Sequence, residues 1–467
     1  LSRSIPYNPA MRKVLTLVAG FVAVLLAGGC ITDPVTGESV IGMPASDSEE
    51  AAMGLEYRPS IVQEFDGPYP DAQLQQHLGS IVLGMARQSV RPSLPWAFTV
   101  LNSSVPNAFA VPGGQVFVTR GLLTRLEDEA EFAVVMGHEI GHVEHRHSMQ
   151  GMGREVLFQT GAAAVGAAAG DGWGEIAGYG AGIWSLSYSR DDERESDVRG
   201  VENSYAAGYD PREGADVFRE FLKLKQEAGG GAPPAFLSSH PADEERIENI
   251  QRLCAQKDPR LAGSAPVEGL RKTTPAWAPL VARLRQEQRT YDKFDAAQQR
   301  IAAEKGSEAS VRAALEVFRQ CERELPGHAV FAANTGKALV FLGDTAGGRA
   351  ELERASSMNQ QLLEPEVLLG ELALAAKDWT RAAAYGERGL ALLPSEANYP
   401  SLLIRGAANW NLGRRAEAEK DLRAVMQVAP QESAQWKVAS SLLGAAAAPA
   451  TTAPAAPVAP GRKRARK

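Results

Sequence analysis

Cysteine is scarce: three residues in 467, at positions 30, 254 and 321. No disulfide framework can be built from so few, so the chain must hold together by burying apolar surface. Cys254 and Cys321 fall in different segments and read as two buried free thiols, with a single bridge as the alternative. An excess of positive charge is also missing. The formal net charge is −7, and the only dense basic cluster is the terminal GRKRARK, so no nucleic-acid partner is expected. Membrane-spanning runs are lacking beyond the first thirty residues; the alanine- and glycine-rich stretch 160–184 is too small-sided, and too interrupted by Asp171 and Glu175, to be one. What remains is a globular composition, 44% hydrophobic and 22% charged. Its length exceeds a single core and predicts two or three domains.

The apolar exception is MRKVLTLVAGFVAVLLAGGC, which starts at Met11 with two basic residues and ends in small residues before Cys30. That layout predicts a signal peptide over residues 1–29, with Met11 as its start. The AGG followed at once by cysteine resembles a bacterial lipoprotein signal, which implies lipidation of Cys30 and a membrane anchor there. Ile31, rather than an aspartate, next to that cysteine implies sorting to the outer membrane.

Further on, residues 30–65 are turn-rich and predict an extended mature N-terminus. Leu74, Leu78, Ile81, Val82 and Met85 lie at helical spacing. WAFTVL reads as a strand, and NAFAVPGGQVFVT as two strands around a Pro-Gly-Gly turn. Residues 256–289, with Pro259, Pro266, Pro275 and Pro279, read as a linker. Beyond it, helix-pair ends recur at Pro326, Pro394 and Pro430, and small-residue turns at Gly343 and Gly413. A period near 34 residues in an all-helical segment resembles tetratricopeptide repeats, about four of them over 290–445. Residues 446–467 read as a disordered Pro/Ala-rich tail with a basic tip.

Four of the seven histidines stand within GHEIGHVEHRH. On a helix His138 and His142 stack on one face about 6 Å apart, a workable spacing for two imidazoles on one ion. Glu139 flanks that face, giving the H-E-x-x-H pattern in which the glutamate acts as general base. His145 lies on the same face but too far along, and His147, nine residues on, falls on roughly the opposite side. Both are expected to be structural or surface residues. Ser148 stands where a metzincin would carry its third histidine, so the third ligand must come from elsewhere. The acidic run DDERESD is the best source: Glu193 and Asp197 share a helix face, Glu193 as ligand and Asp197 orienting a histidine ring. Glu195 is the competing ligand but points elsewhere on the helix. Two histidines and a glutamate favour zinc, one ion per chain.

NAFAVPGGQVFVTRGLL, EAEFAVVMGHEIGHVEHRH, SRDDERESD and SSHPADEERI occur in the order seen in clan MA (gluzincin) peptidase family 48. The chain most resembles the periplasmic lipoproteins of that family, which join the peptidase to tetratricopeptide repeats. The resemblance implies an α+β fold: a mostly helical zinc metallopeptidase domain with a small sheet over 66–255, followed by an all-α repeat solenoid. It implies zinc on His138, His142 and Glu193, Glu139 as general base, and Asp197 behind a ligand histidine. It also implies that His240 approaches the zinc to gate or assist the site; from sequence alone His240 is a helix-entry residue before Pro241. The strand at Asn107, Ala108, Phe109 and Ala110 would hold an extended substrate by backbone pairing. Two functions follow: a zinc endopeptidase that removes misfolded or stalled envelope proteins, or an assembly factor whose repeats engage outer-membrane assembly machinery while the peptidase stays latent.

Overall fold

The structure, a computed structural model, describes residues 29–156, 188–227, 235–241 and 243–447. The predicted signal segment before residue 29, the whole alanine- and glycine-rich stretch 160–184 and the tail beyond residue 447 lie outside the described residues.

The segment 30–65 is not extended throughout, as its turn-rich start had predicted. Strands β1 (Cys30–Thr32) and β2 (Ser39–Ile41) form an antiparallel hairpin, and α1 (Asp47–Glu64) follows. A reciprocal capping box explains the helix start: Ser46 accepts from the Glu49 N–H, and the Glu49 carboxylate accepts from the Ser46 N–H.

After α2 (Ala72–Ala86), strands β3 (Ala97–Leu101), β4 (Ala108–Val111) and β5 (Gln115–Thr119) make a sheet ordered β3-β5-β4. β3 runs parallel to β5 and β4 antiparallel to it, with Ala110 opposite Val116. Along β5 the sequence alternates Val116 and Val118 with Gln115, Phe117 and Thr119, but this does not separate core from solvent, because both faces are covered. Val116 and Val118 join the main core, whereas Phe117 joins Phe109 and Val111 in a second one shared with Ile61 of α1.

A short turn of helix, α3 (Arg120–Leu123), leads to α4 (Glu129–Glu144), and α5 (Arg190–Ala206) packs against it. All sixteen residues of α4 are buried. Its start is fixed by Asp128, whose side chain accepts from the Glu131 N–H. Glycine lets α5 come close: a Cβ on Gly141 would stand 2.7 Å from the Arg199 Cβ, and one on Gly137 3.0 Å from the Gly200 carbonyl oxygen. Helices α6 (Gly214–Glu227), α7 (Ala235–Ser239) and α8 (Glu244–Lys257) complete this part.

Residues 256–289 correct the linker expectation. α9 (Trp277–Ala303) begins inside them and runs on past residue 289 without a break. Trp277 is buried, its indole N–H donating to the Glu127 carbonyl at 3.1 Å, and Ala130 N–H donates to the Lys272 carbonyl at 2.7 Å. The prolines misled because Pro259 and Pro279 occupy first turns of helical segments, where no intrahelical N–H is needed.

The chain continues as helices only: α10 (Glu308–Glu324), α11 (Ala329–Phe341), α12 (Thr345–Met358), α13 (Leu363–Ala375), α14 (Trp379–Leu392), α15 (Tyr399–Asn411), α16 (Arg415–Val428) and α17 (Ala434–Ala447). The pairs α11–α12, α13–α14 and α15–α16 begin at residues 329, 363 and 399, the step near 34 that the sequence predicts. The fold class is therefore α+β followed by an all-helical array. One buried apolar cluster runs from Leu74 through Phe132 and Trp277 to Phe331, and joins the two parts. The array also meets α1: Gln63 donates to the Gln361 carbonyl and accepts from the Leu363 N–H, both at 2.8 Å.

Candidate metal centre

α4 brings His138 and His142 to one face with their Nε2 atoms 3.0 Å apart. The close approach of α5 places Glu193 across from them, 3.6 Å from His138 Nε2 through one oxygen and 3.5 Å from His142 Nε2 through the other. With His240 included, four buried side chains offer ligand atoms all within 4.8 Å of one another. Glu139 is fully buried beside them.

The donor set fits a cation. Asp197, held ionised, accepts from the His138 Nδ1 at 3.1 Å, which leaves the Nε2 lone pair facing His142. Burial holds the His142 imidazole well below its ordinary range, so it is neutral. Burial works against the Glu193 carboxylate, yet His240 and Arg246 outweigh it and hold its pKa well below the usual value. Neither Glu139 oxygen nor His240 Nε2 completes a hydrogen bond. Buried lone pairs without protons to meet them cost free energy that a bound ion would offset. Two imidazoles and one carboxylate are a set that suits zinc.

Asp197 lies in a tight cluster with Arg246, whose guanidinium reaches the Asp197 oxygens at 2.6 and 2.9 Å and Glu193 at 2.5 Å. Arg246 also lies over the Phe218 ring, 4.2 Å from its centroid. Burial opposes ionisation of Asp197, but Arg246 and then His138 keep its pKa below the ordinary value. No sequence argument assigned Arg246 a role; the available signal was its place in SSHPADEERI, six residues after His240.

His240 caps α7, its N–H bonded to the Phe236 carbonyl at 2.8 Å, and the next full helix begins only at Glu244. Its ring therefore turns inward. Nδ1 lies 2.9 Å from Glu193, and Nε2 lies 3.7 Å from Glu139. Burial lowers its pKa, but Glu193 and Glu139 reverse the sign and raise it. Glu139 itself is raised, chiefly by burial. Tyr188 was missed by sequence reading: its ring stacks on His142 at 3.9 Å and walls the site.

Of the other two histidines, His147 departs from expectation. α4 stops at Glu144, and Arg146 adopts a left-handed backbone with φ 60°. The helical count that put His147 on the opposite side therefore fails. The chain reverses, and buried His147 meets His142 with 2.9 Å between their Nδ1 atoms. Its Nε2 lies 3.0 Å from Glu195, which points away from Glu193 as the spacing predicts. His145 is buried as well, its Nδ1 2.7 Å from Asp33 of the N-terminal hairpin. Arg146 is held in its costly conformation by Glu50 of α1, at 2.5 Å from its Nε.

Asn107 precedes β4, and Ala108, Phe109 and Ala110 lie in it, at the edge of the sheet beside α4. All four residues are buried. The Ala110 N–H is directed toward the Glu139 carboxylate. Cys30 is exposed at the start of β1, whereas Cys254 and Cys321 are buried free thiols.

Residues 72–254 match the family model Peptidase family M48. The chain is 28% identical over 280 residues to the beta-barrel assembly-enhancing protease of Escherichia coli, covering 56% of this chain and 55% of that protein. It is 30% identical over 190 residues to the mitochondrial metalloendopeptidase OMA1 of Arabidopsis thaliana, covering 38% and 36%. The chain thus spans about half the length, or less, of these curated relatives. Among solved structures, MamA aligns at 12% identity with a TM-score of 0.27, over 30% of this chain and 80% of that one. The sequence match covers the helix bearing His138, Glu139 and His142, the helix bearing Glu193 and Asp197, and the turn bearing His240. Residues 72–254, the part of the chain that carries these side chains, are thus similar to peptidase family M48.

Proposed function

We propose that the chain is a zinc-dependent endopeptidase of the bacterial envelope that degrades misfolded or stalled outer-membrane proteins. The observation that carries this reading is a buried carboxylate with no completed hydrogen bond, Glu139, beside two imidazoles and a second carboxylate that converge within 4.8 Å. His138 and His142 would hold one zinc ion through Nε2, and Glu193 through its carboxylate. When bound, the ion supplies Lewis acidity that polarises the scissile carbonyl and acidifies water.

The remaining steps belong to the chain. Glu139 takes the proton of the attacking water and passes it to the leaving amine. Burial raises its pKa, which suits a group that must both accept and release a proton. Asp197 orients His138, and Arg246 keeps both carboxylates of α5 ionised. β4, the edge strand of its sheet, pairs through its backbone with an extended polypeptide, which favours unfolded substrates over folded ones. His240 gates the approach to the centre. Cys30 carries a lipid anchor to the outer membrane, and the helices over 290–445 supply the surface that meets substrates or assembly machinery. The names of the relatives, an assembly-enhancing protease and a metalloendopeptidase, support this assignment.

Cleavage of casein by the zinc-loaded full chain and its Glu139→Gln variant tests the reading. The parent is expected to cut and the variant to fall by at least about 100-fold, the scale of a lost general base. Equal cutting by both overturns the assignment of Glu139.

A second reading, an assembly factor with a latent site, draws on His240. Its Nδ1 lies 2.9 Å from Glu193, so the ring engages the carboxylate that would hold the ion. A Glu139→Gln chain that still restores outer-membrane assembly in cells lacking the protein would favour it.

A further inference from the structure

His142 differs from His138 in what stands behind it. His138 bonds directly to a carboxylate, whereas His142 bonds to another imidazole. We infer that His147 and Glu195 form a relay that positions His142, fixing its tautomer so that Nε2 is the atom offered to the ion. The inference rests on the reading of His142 as a ligand.

Proton counting carries the argument. Two imidazole nitrogens 2.9 Å apart, His142 Nδ1 and His147 Nδ1, share one proton. If His142 owns it, His142 Nε2 keeps its lone pair for the ion. His147 then carries its proton on Nε2, 3.0 Å from Glu195 Oε2. If His147 owns it instead, His142 must carry its proton on Nε2. That proton would enter the donor set, 3.0 Å from His138 Nε2 and 3.5 Å from Glu193. With one proton on each ring, it would also leave His147 Nε2 bare, facing the Glu195 carboxylate, two acceptors with nothing between them. Glu195, an acceptor only, therefore selects the first arrangement. His142 donates to His147, and His147 donates to Glu195.

The ring of His147 is also held in place. His145 lies parallel to it, 5.1 Å between centroids and 3° between planes, and Asp33 anchors His145 at 2.7 Å. The Ser196 hydroxyl stands 3.3 Å from His147 Nδ1.

The same region admits a competing use. His145, His147 and Glu195 offer three ligand atoms within 4.8 Å and could hold a second ion. Neutral His147 ligating through Nε2 would turn its proton onto Nδ1, straight at the Nδ1 proton of His142. A second ion and a neutral His142 bound to the first therefore exclude each other. Proton counting favours the relay.

The test is zinc affinity and stoichiometry of the full chain, measured by competition with a chromophoric chelator, with folding followed by circular dichroism. His147→Leu is expected to weaken zinc by about 10- to 100-fold, as loss of a ligand's hydrogen-bond partner does. His147→Asn, whose side-chain oxygen can stand where Nδ1 accepts, is expected to retain most of the affinity. A residue that only fills space would not rank the two in that order. Glu195→Ala, at a side chain 43% exposed and so tolerant of truncation, is expected to weaken zinc in the same direction and by less. Affinity unchanged in His147→Leu, or lost equally in the Leu and Asn variants, overturns the relay. Two zinc ions per parent chain and one in Glu195→Ala overturn it in favour of the second site. His142→Ala separates the underlying reading: unchanged affinity there removes His142 as a ligand, and the relay with it.

Discussion

Arg246 keeps two buried carboxylates charged at once. Glu193 and Asp197 lie one helical turn apart on α5, both nearly inaccessible, and their mutual repulsion would otherwise force one to take up a proton. The guanidinium meets both and rests its apolar face on Phe218. Replacing it with a neutral chain of similar length, Arg246→Met, leaves an uncompensated charge in the interior. Destabilisation of about 3–5 kcal/mol is expected, read as a fall in the unfolding midpoint of the zinc-stripped chain. Removing a surface arginine such as Arg194 should leave that midpoint nearly unchanged by the same assay. At this scale the sequence was legible only where function follows from spacing along one helix. His138, Glu139 and His142 could be placed by counting turns, as could the shared face of Glu193 and Asp197. Arg246 and Tyr188 could not, because their roles arise from segments distant in sequence. His147 was misplaced for a different reason: counting assumes the helix continues, and Arg146 ends it.

Among the elements, α4 bears most of the chemistry, and its N-terminus carries a charge conflict. Glu131 sits in the first turn, where a carboxylate suits the helix dipole, yet burial pushes its pKa up to about 7 from an ordinary 4.5. The folded protein therefore holds a proton there that the unfolded chain releases as pH rises from about 4.5 to about 7. By linkage, Glu131 lowers stability progressively across that window, and its effect is constant above it. Glu131→Gln keeps an oxygen for the Glu127 N–H but cannot ionise. Its melting temperature relative to the parent is expected to improve from pH 5 to pH 8, and a flat difference would refute the assignment. The elements themselves were mostly readable: helical spacing marked α2, and the regular step marked the array. Strand β5 shows the limit. Its alternation was correct, but it sorts side chains between two cores rather than between core and water.

For the molecule as a whole, the absence of a linker matters most. A continuous apolar core ties the peptidase part to the first helices of the array, and Trp277 is a hinge pin between them, packed on Phe132 at 6.1 Å. Trp277→Ala should cost about 3–5 kcal/mol, the price of emptying a large buried site. It is expected to split thermal unfolding into two calorimetric transitions where the parent shows one; two already present in the parent would contradict a shared core. Prolines hid this from sequence reading, because in a helix's first turn they look the same as in a loose connection.

The hairpin at Cys30 has a consequence for reach. Asp33, which anchors the stack of His145 on His147 behind the metal centre, is three residues from Cys30. Three extended residues span at most about 10 Å. With the proposed acyl chain on Cys30, no flexible leash separates the lipid from the shell of the centre. The enzyme would work like a blade fixed flush to a bench, with a cutting height set by the thickness of its own domain. On the proposed reading, polypeptides stalled at the bilayer surface would be the first to meet the centre.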